Sequence, residues 1–95
     1  MGFGYWIRAR REAAGITLND FSRRLEISPA YWSRIEREME KPPKDALIEK
    51  AVQALGLSLD QAFIQARRFP PDMQRDIATA VHAYRTFKRQ EDDTQ

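Results

Sequence analysis

Arginine is the chain's main chemical resource. It outnumbers lysine twelve to four, and Arg8, Arg10, Arg11, Arg23, Arg24, Arg34 and Arg37 all fall in the first forty residues. A guanidinium is a rigid fork of donors that matches phosphate oxygens and the O6/N7 edge of guanine. On a helix surface the same group is as often a solvated partner of a nearby carboxylate, and 14 acidic residues are available for that role. The net charge of +2 is too small to decide between the two. Other chemistries have less material. With no cysteine there is neither a disulfide nor a thiolate metal site. The single histidine, His82, reads as a helix-surface residue, since alone it makes neither a zinc site nor a catalytic dyad. Gly2 and Gly4 are no phosphate-cradling loop, because no strand precedes them. The expectation is a protein that is not an enzyme and holds no metal or cofactor. No apolar run approaches a membrane span and no secretion signal is evident, so a cytoplasmic protein without membrane contact is expected.

The elements that must position the arginines are helices, and strand signals are almost absent. A first helix is predicted over about 4–14, with Phe3, Ile7 and Ala14 on one side and Gly15 at its left-handed end. Thr17 can cap a second helix, with Asp20 three residues on as a short capping-box carboxylate and Phe21 and Leu25 on its buried face. Ser28-Pro29 restarts the chain as a third helix, because serine accepts from free backbone N–H groups and proline has none to waste. That helix carries Trp32 and Ile35 inward and is expected to stop before Lys41-Pro42-Pro43. A fourth follows over about 44–55, ended by Gly56, and a fifth, capped by Ser58, over about 59–67. Beyond Pro70-Pro71, the residues Met73, Ile77, Ala80, Val81, Tyr84 and Phe87 repeat at helical spacing. The polar tail 90–95 is expected to fray.

Two short helices joined by a tight turn form a helix-turn-helix, whose second helix enters the DNA major groove while the first crosses the backbone. With Trp32 and Ile35 inward, helical phase turns Pro29, Ala30, Ser33, Arg34 and Arg37 outward and leaves Tyr31 at the border. The landmarks Arg11, Gly15-Ile16-Thr17, Leu25, Ile27-Ser28 and Tyr31-Trp32-Ser33-Arg34-Ile35-Glu36-Arg37, continuing to Leu47, Ala51, Leu55-Gly56 and Ser58, resemble the Cro/C1-type (XRE) helix-turn-helix regulators. The resemblance spans about 60 of the 95 residues. It implies an all-α fold: a five-helix, lambda-repressor-like bundle, here with an extra C-terminal helix. It also implies a sequence-specific DNA-binding regulator and an ion pair between Arg11 and Glu36 that joins the first and third helices. Five positions depart from the family pattern. Ser22 stands for alanine, Glu26 and Glu38 for glycine, Leu18 for a phosphate-reaching glutamine, and Arg10 for leucine. A positive φ at Glu26 would cost roughly 1 kcal/mol relative to glycine.

On this reading Arg34 is the candidate for bidentate contact with guanine. Thr17, Ser28, Tyr31 and Ser33 carry hydroxyls suited to phosphate, though capping alone also explains Thr17 and Ser28. Ala30 suits a thymine methyl, Pro29 lies beside it, and Arg37, Lys41 and Lys44 flank the helix exit where a DNA backbone would pass. Two domains are expected: 1–68 for DNA binding and 69–95 for a helix with a frayed tail. Met73, Ile77, Val81 and Tyr84 form an apolar stripe that either dimerises or folds back over the first and fifth helices. A homodimer on double-stranded DNA, repressing from a near-palindromic operator, is the leading expectation. The alternatives are an antitoxin or controller protein whose last helix grips a toxin or effector, and an adaptor that binds only protein.

Overall fold

Helix starts and stops written in the sequence recur as backbone geometry in the computed structural model, which describes residues 2–74 and 76–93, excepting the side chains of 77–80 and 90–93. The described residues form α1 (Phe3–Ala13), α2 (Leu18–Leu25), α3 (Pro29–Glu36), α4 (Asp45–Leu55), α5 (Leu59–Gln65), α6 (Pro71–Gln74) and α7 (Ile77–Asp93), with no strand among them. Thr17, Ser28 and Ser58 cap α2, α3 and α5, each hydroxyl accepting from the backbone N–H three residues on.

One device ends all of the first five helices. A residue in the left-handed region follows the helix, and the next N–H reaches back five residues to a carbonyl. The left-handed residues are Gly15, Glu26, Glu38, Gly56 and Arg67, with φ between 59° and 72°. The closing bonds are Ile16 N to Arg11 O, Ile27 N to Ser22 O, Met39 N to Arg34 O, Leu57 N to Val52 O, and Arg68 N to Phe63 O, at 2.9–3.3 Å. The same device sets the end of α3, which falls before Lys41 as expected. The helix stops at Glu36, because Glu38 turns left-handed well before Lys41.

The core is a continuous cluster of Phe3, Ile7, Phe21, Leu25, Trp32, Ile35, Ile48, Ala51, Val52, Ala62, Phe63 and Ala66. Ala14, expected inward, is exposed. Phe21 meets Trp32 in a tilted pair with ring centroids 5.4 Å apart, locking α2 to α3. Ser22 is fully buried and returns its hydroxyl to Leu18 O at 2.8 Å, so no polar atom is left unpaired. Gly4 lets α1 rest on the end of α3: a Cβ there would collide with Ile35 O and come within 2.7 Å of Glu38 Cγ. Arg10, where the family has leucine, is exposed, with its guanidinium 5.9 Å from the Trp6 ring centre.

The C-terminal stripe is not one helix. Met73 belongs to α6, and α7 begins only at Ile77. The backbone of α7 is helical to Asp93. The side chains of Ile77 and Ala80, expected in the stripe, lie outside the described residues. Tyr84 and Phe87 face Ile64, Phe69 and Met73 across a groove of about 650 Å³.

Candidate nucleic-acid interface

The helix-turn-helix is α2, the turn Glu26-Ile27-Ser28, and α3. Its rear is held by a buried network. Arg11 donates from Nε to Glu36 Oε2 at 2.7 Å and from Nη2 to Glu36 Oε1 at 2.9 Å, a bidentate pair. Its third donor, Nη1, reaches Ile16 O at 2.7 Å. Trp32 Nε1 donates to the same Glu36 Oε2 at 2.6 Å. Hydrogen bonding to Glu36 raises the Arg11 pKa above the usual arginine value despite the opposing effect of burial. The network ties α1, the α1–α2 turn and α3 into one frame, so the outer face of α3 is presented on a rigid support.

That outer face carries the predicted residues as follows. Pro29 and Ala30 are exposed, while Tyr31, Ser33 and Arg34 are half-buried. Thr17 and Ser28 stand at the starts of α2 and α3, and both hydroxyls accept a cap bond at 3.1 Å, leaving lone-pair and donor capacity outward. Arg37 is not within α3 but follows it, its Nε 3.4 Å from Ser33 O. Lys41 and Lys44 are exposed on the loop into α4, and Lys44 stands at that helix's start. Leu18, where the family has a phosphate-reaching glutamine, packs partly buried against the core.

Arg34 lies between two neighbours. Its guanidinium is 5.9 Å from the Tyr31 ring centre, and its Nε is 3.4 Å from Glu40 Oε1. Glu40 therefore holds the inner nitrogen, and the terminal pair is the edge that matches guanine. No local spacing in the sequence pointed to this neighbour. The spacing of six is not a helical one, and it closes only because the chain leaves α3 after Glu36. The Trp32–Glu36 bond, by contrast, had a signal in its spacing of four. Among the described residues, no cluster of His, Cys, Asp or Glu could hold a metal ion, and no helix is long and apolar enough to cross a membrane. His82 is exposed on α7.

An all-helical bundle with a capped helix pair and an outward arginine-bearing face defines a helix-turn-helix module. Residues 3–62 match the helix-turn-helix domain family, and the chain belongs to it. It is 30% identical over 78 residues to two Mycobacterium tuberculosis proteins, MT0491 of strain CDC 1551 / Oshkosh and Rv0474 of strain ATCC 25618 / H37Rv, each described as an uncharacterized HTH-type transcriptional regulator. The match covers 82% of this chain and 55% of theirs, so the chain spans about half the length of those relatives. Among solved structures it is similar to the clp gene regulator ClgR from Corynebacterium glutamicum, with a TM-score of 0.61, 27% identity, and 86% of this chain and 83% of that one covered. It shares its fold with the biofilm master regulator SinR in complex with DNA: TM-score 0.60, 24% identity, 64% of this chain and 97% of that one. The SinR–SinI complex gives a TM-score of 0.62 at 19% identity, over 98% and 99% of the two chains. By fold and family, this chain is thus a helix-turn-helix protein.

Proposed function

We propose that the chain is a sequence-specific repressor that binds a near-palindromic operator as a two-fold dimer, with α3 in the major groove. The observation that carries this reading is the outer face of α3. Arg34 there is flanked by the hydroxyls of Ser28, Tyr31 and Ser33 and followed by Arg37, Lys41 and Lys44, and the inner face is locked in the core. Arg34 reads guanine, Thr17, Ser28, Tyr31 and Ser33 engage phosphate, and Pro29 and Ala30 pack toward base edges.

Dimerisation is assigned to residues 69–95, and DNA binding to 1–68. Tyr84 is 53% exposed, with Phe87 beside it at 59%, and Met73 and Val81 are half-buried. Side chains of this size stabilise roughly 1.5–3 kcal/mol each when covered, and a second copy of the stripe would cover them. A toxin or effector protein seated in the same groove is the second reading, favoured by the same exposed aromatics.

Selection of bound DNA fragments followed by sequencing tests the proposal, since a dimer of this kind returns a palindrome with half-sites about one helical turn apart. Arg34→Ala should weaken operator binding by about 1–3 kcal/mol relative to random DNA in the same salt. An equal loss on both DNAs would make Arg34 a phosphate contact, and recovery of no enriched motif would overturn sequence-specific binding.

A further inference from the structure

The loop that carries Lys41 and Lys44 is built on Pro42-Pro43, which lies outside any helix and has no backbone N–H groups. Its carbonyls are taken by Arg68, a residue 25 or 26 positions away. Arg68 Nη2 donates to Pro42 O at 2.8 Å, and Nη1 donates to Pro43 O. Nη1 also lies 3.3 Å from Asp45 Oδ1, in the first turn of α4. The other Asp45 oxygen accepts from Gln74 Nε2 at 3.1 Å, and that same nitrogen donates to Phe69 O at 2.6 Å. The Arg68 backbone is fixed in turn, because its N–H closes the end of α5 on Phe63 O. One planar guanidinium thus bridges two consecutive carbonyls and a carboxylate, which an ammonium on a flexible stem cannot do in one geometry.

We propose that Arg68 is a positioning residue for DNA binding. By holding the carbonyls of Pro42 and Pro43 it sets the directions in which Lys41 and Lys44 leave the backbone, so that both meet phosphate on the duplex that α3 reads. Arg68 itself touches no DNA. The inference rests on the DNA-binding reading above and adds to it a residue from beyond the end of α5.

Salt dependence separates this role from plain stability. Each phosphate contact adds about 0.9 to the slope of log affinity against log salt concentration, and that slope does not follow from how easily the protein unfolds. The full-length protein, Lys41→Ala/Lys44→Ala, Arg68→Gln, Arg68→Lys and the triple variant Lys41→Ala/Lys44→Ala/Arg68→Gln are titrated with one operator duplex between about 50 and 200 mM salt. The double lysine variant should lose about 2 from the slope. Arg68→Gln should lose at least about 1, and Arg68→Lys, which keeps the charge, should also lose slope. In the triple variant, Arg68→Gln should change nothing further. A normal slope in both Arg68 variants, beside a reduced one in the lysine variant, overturns the inference and leaves the DNA reading intact. A further loss in the triple variant makes Arg68 a direct phosphate contact and overturns it as well. Wild-type protein that binds without a salt slope overturns the DNA reading itself. Should Arg68→Gln fail to fold, Arg68→Lys carries the comparison alone.

Discussion

The bundle α1–α5 and the segment α6–α7 handle apolar surface in opposite ways. In the bundle, Trp32, Phe3, Phe21 and Phe63 are each at most 2% exposed, and the charged pair within it has all its near partners in place. In the C-terminal segment Phe69, Tyr84 and Phe87 are exposed, and no described side chain beyond Ala66 enters the core cluster. The bundle can therefore draw its stability from its own contacts, whereas α7, among the described residues, packs on α6 and sets Tyr84 and Phe87 along a groove. The lesson is a difference in completeness: one region is finished as a fold, and the other leaves aromatic surface that the proposed dimer would cover.

The largest expected effect lies inside the bundle. Glu36 is 3% and Arg11 9% exposed at the side chain, so Glu36→Ala would strand a buried guanidinium and also free the Trp32 N–H. A loss of about 3–5 kcal/mol is expected by chemical denaturation. Glu12→Ala serves as control. Its partner Arg8 holds the Glu12 carboxyl below the usual carboxylate range, but both groups stand in solvent, where such pairs contribute little. Equal midpoints in the two variants would mean that the network does not hold the bundle together, and the contrast with α7 would collapse.

The next experiment cuts the chain between the two regions. Truncation after Arg68 keeps the clamp on Pro42-Pro43 and removes α6 and α7. The remaining domain should stay helical by circular dichroism, sediment as a monomer, and lose affinity chiefly for two-half-site DNA. The full chain should show an unfolding midpoint that rises with protein concentration, as a dimer's does. An unfolded truncation product would place α7 within the core after all. A full-length chain that sediments as a monomer at high micromolar concentration would leave the groove for another protein.

How much of this was legible depended on range. Thr17, Ser28 and Ser58 declared their helix starts locally, and Gly15 and Gly56 declared two ends, because a cap is written within three or four residues. The outward phase of Arg34 followed from Trp32 and Ile35, two and one positions away. Glu26 and Glu38 were legible as left-handed positions only through resemblance, since nothing in a glutamate favours positive φ. Arg67 at the end of α5 gave no sign at all. The break at Asp76 also went unread: no glycine or proline marks it, and the period from Met73 to Val81 runs through it undisturbed. Arg68, Asp45 and Gln74 meet across 23 to 29 residues, a tertiary contact that no local pattern encodes.

The smallest expected effect sharpens the comparison through those helix ends. Glu26 and Glu38 both adopt a left-handed backbone, with φ of 60° and 59°, where a Cβ is strained and glycine is not. Replacement by glycine should relieve that strain, by about 0.5–1 kcal/mol at Glu26. The side chain forfeited there does little, since its contact with Lys50 is 3.4 Å long and exposed. Glu38 is different. Its carboxylate lies against Gly2, at the start of α1, a helix with no side-chain cap and no acidic residue in its first turn. A negative charge at that end stabilises by about 0.3–1 kcal/mol, so Glu38→Gly should gain less than Glu26→Gly or nothing. Because both ends belong to the bundle, the two increments should be the same in the full chain and in the chain cut after Arg68. Thermal unfolding of the four variants and their two parent chains decides it. Equal gains at the two sites would remove any role for Glu38 at the start of α1, and gains that vanish on truncation would show that the bundle's stability is borrowed from α7.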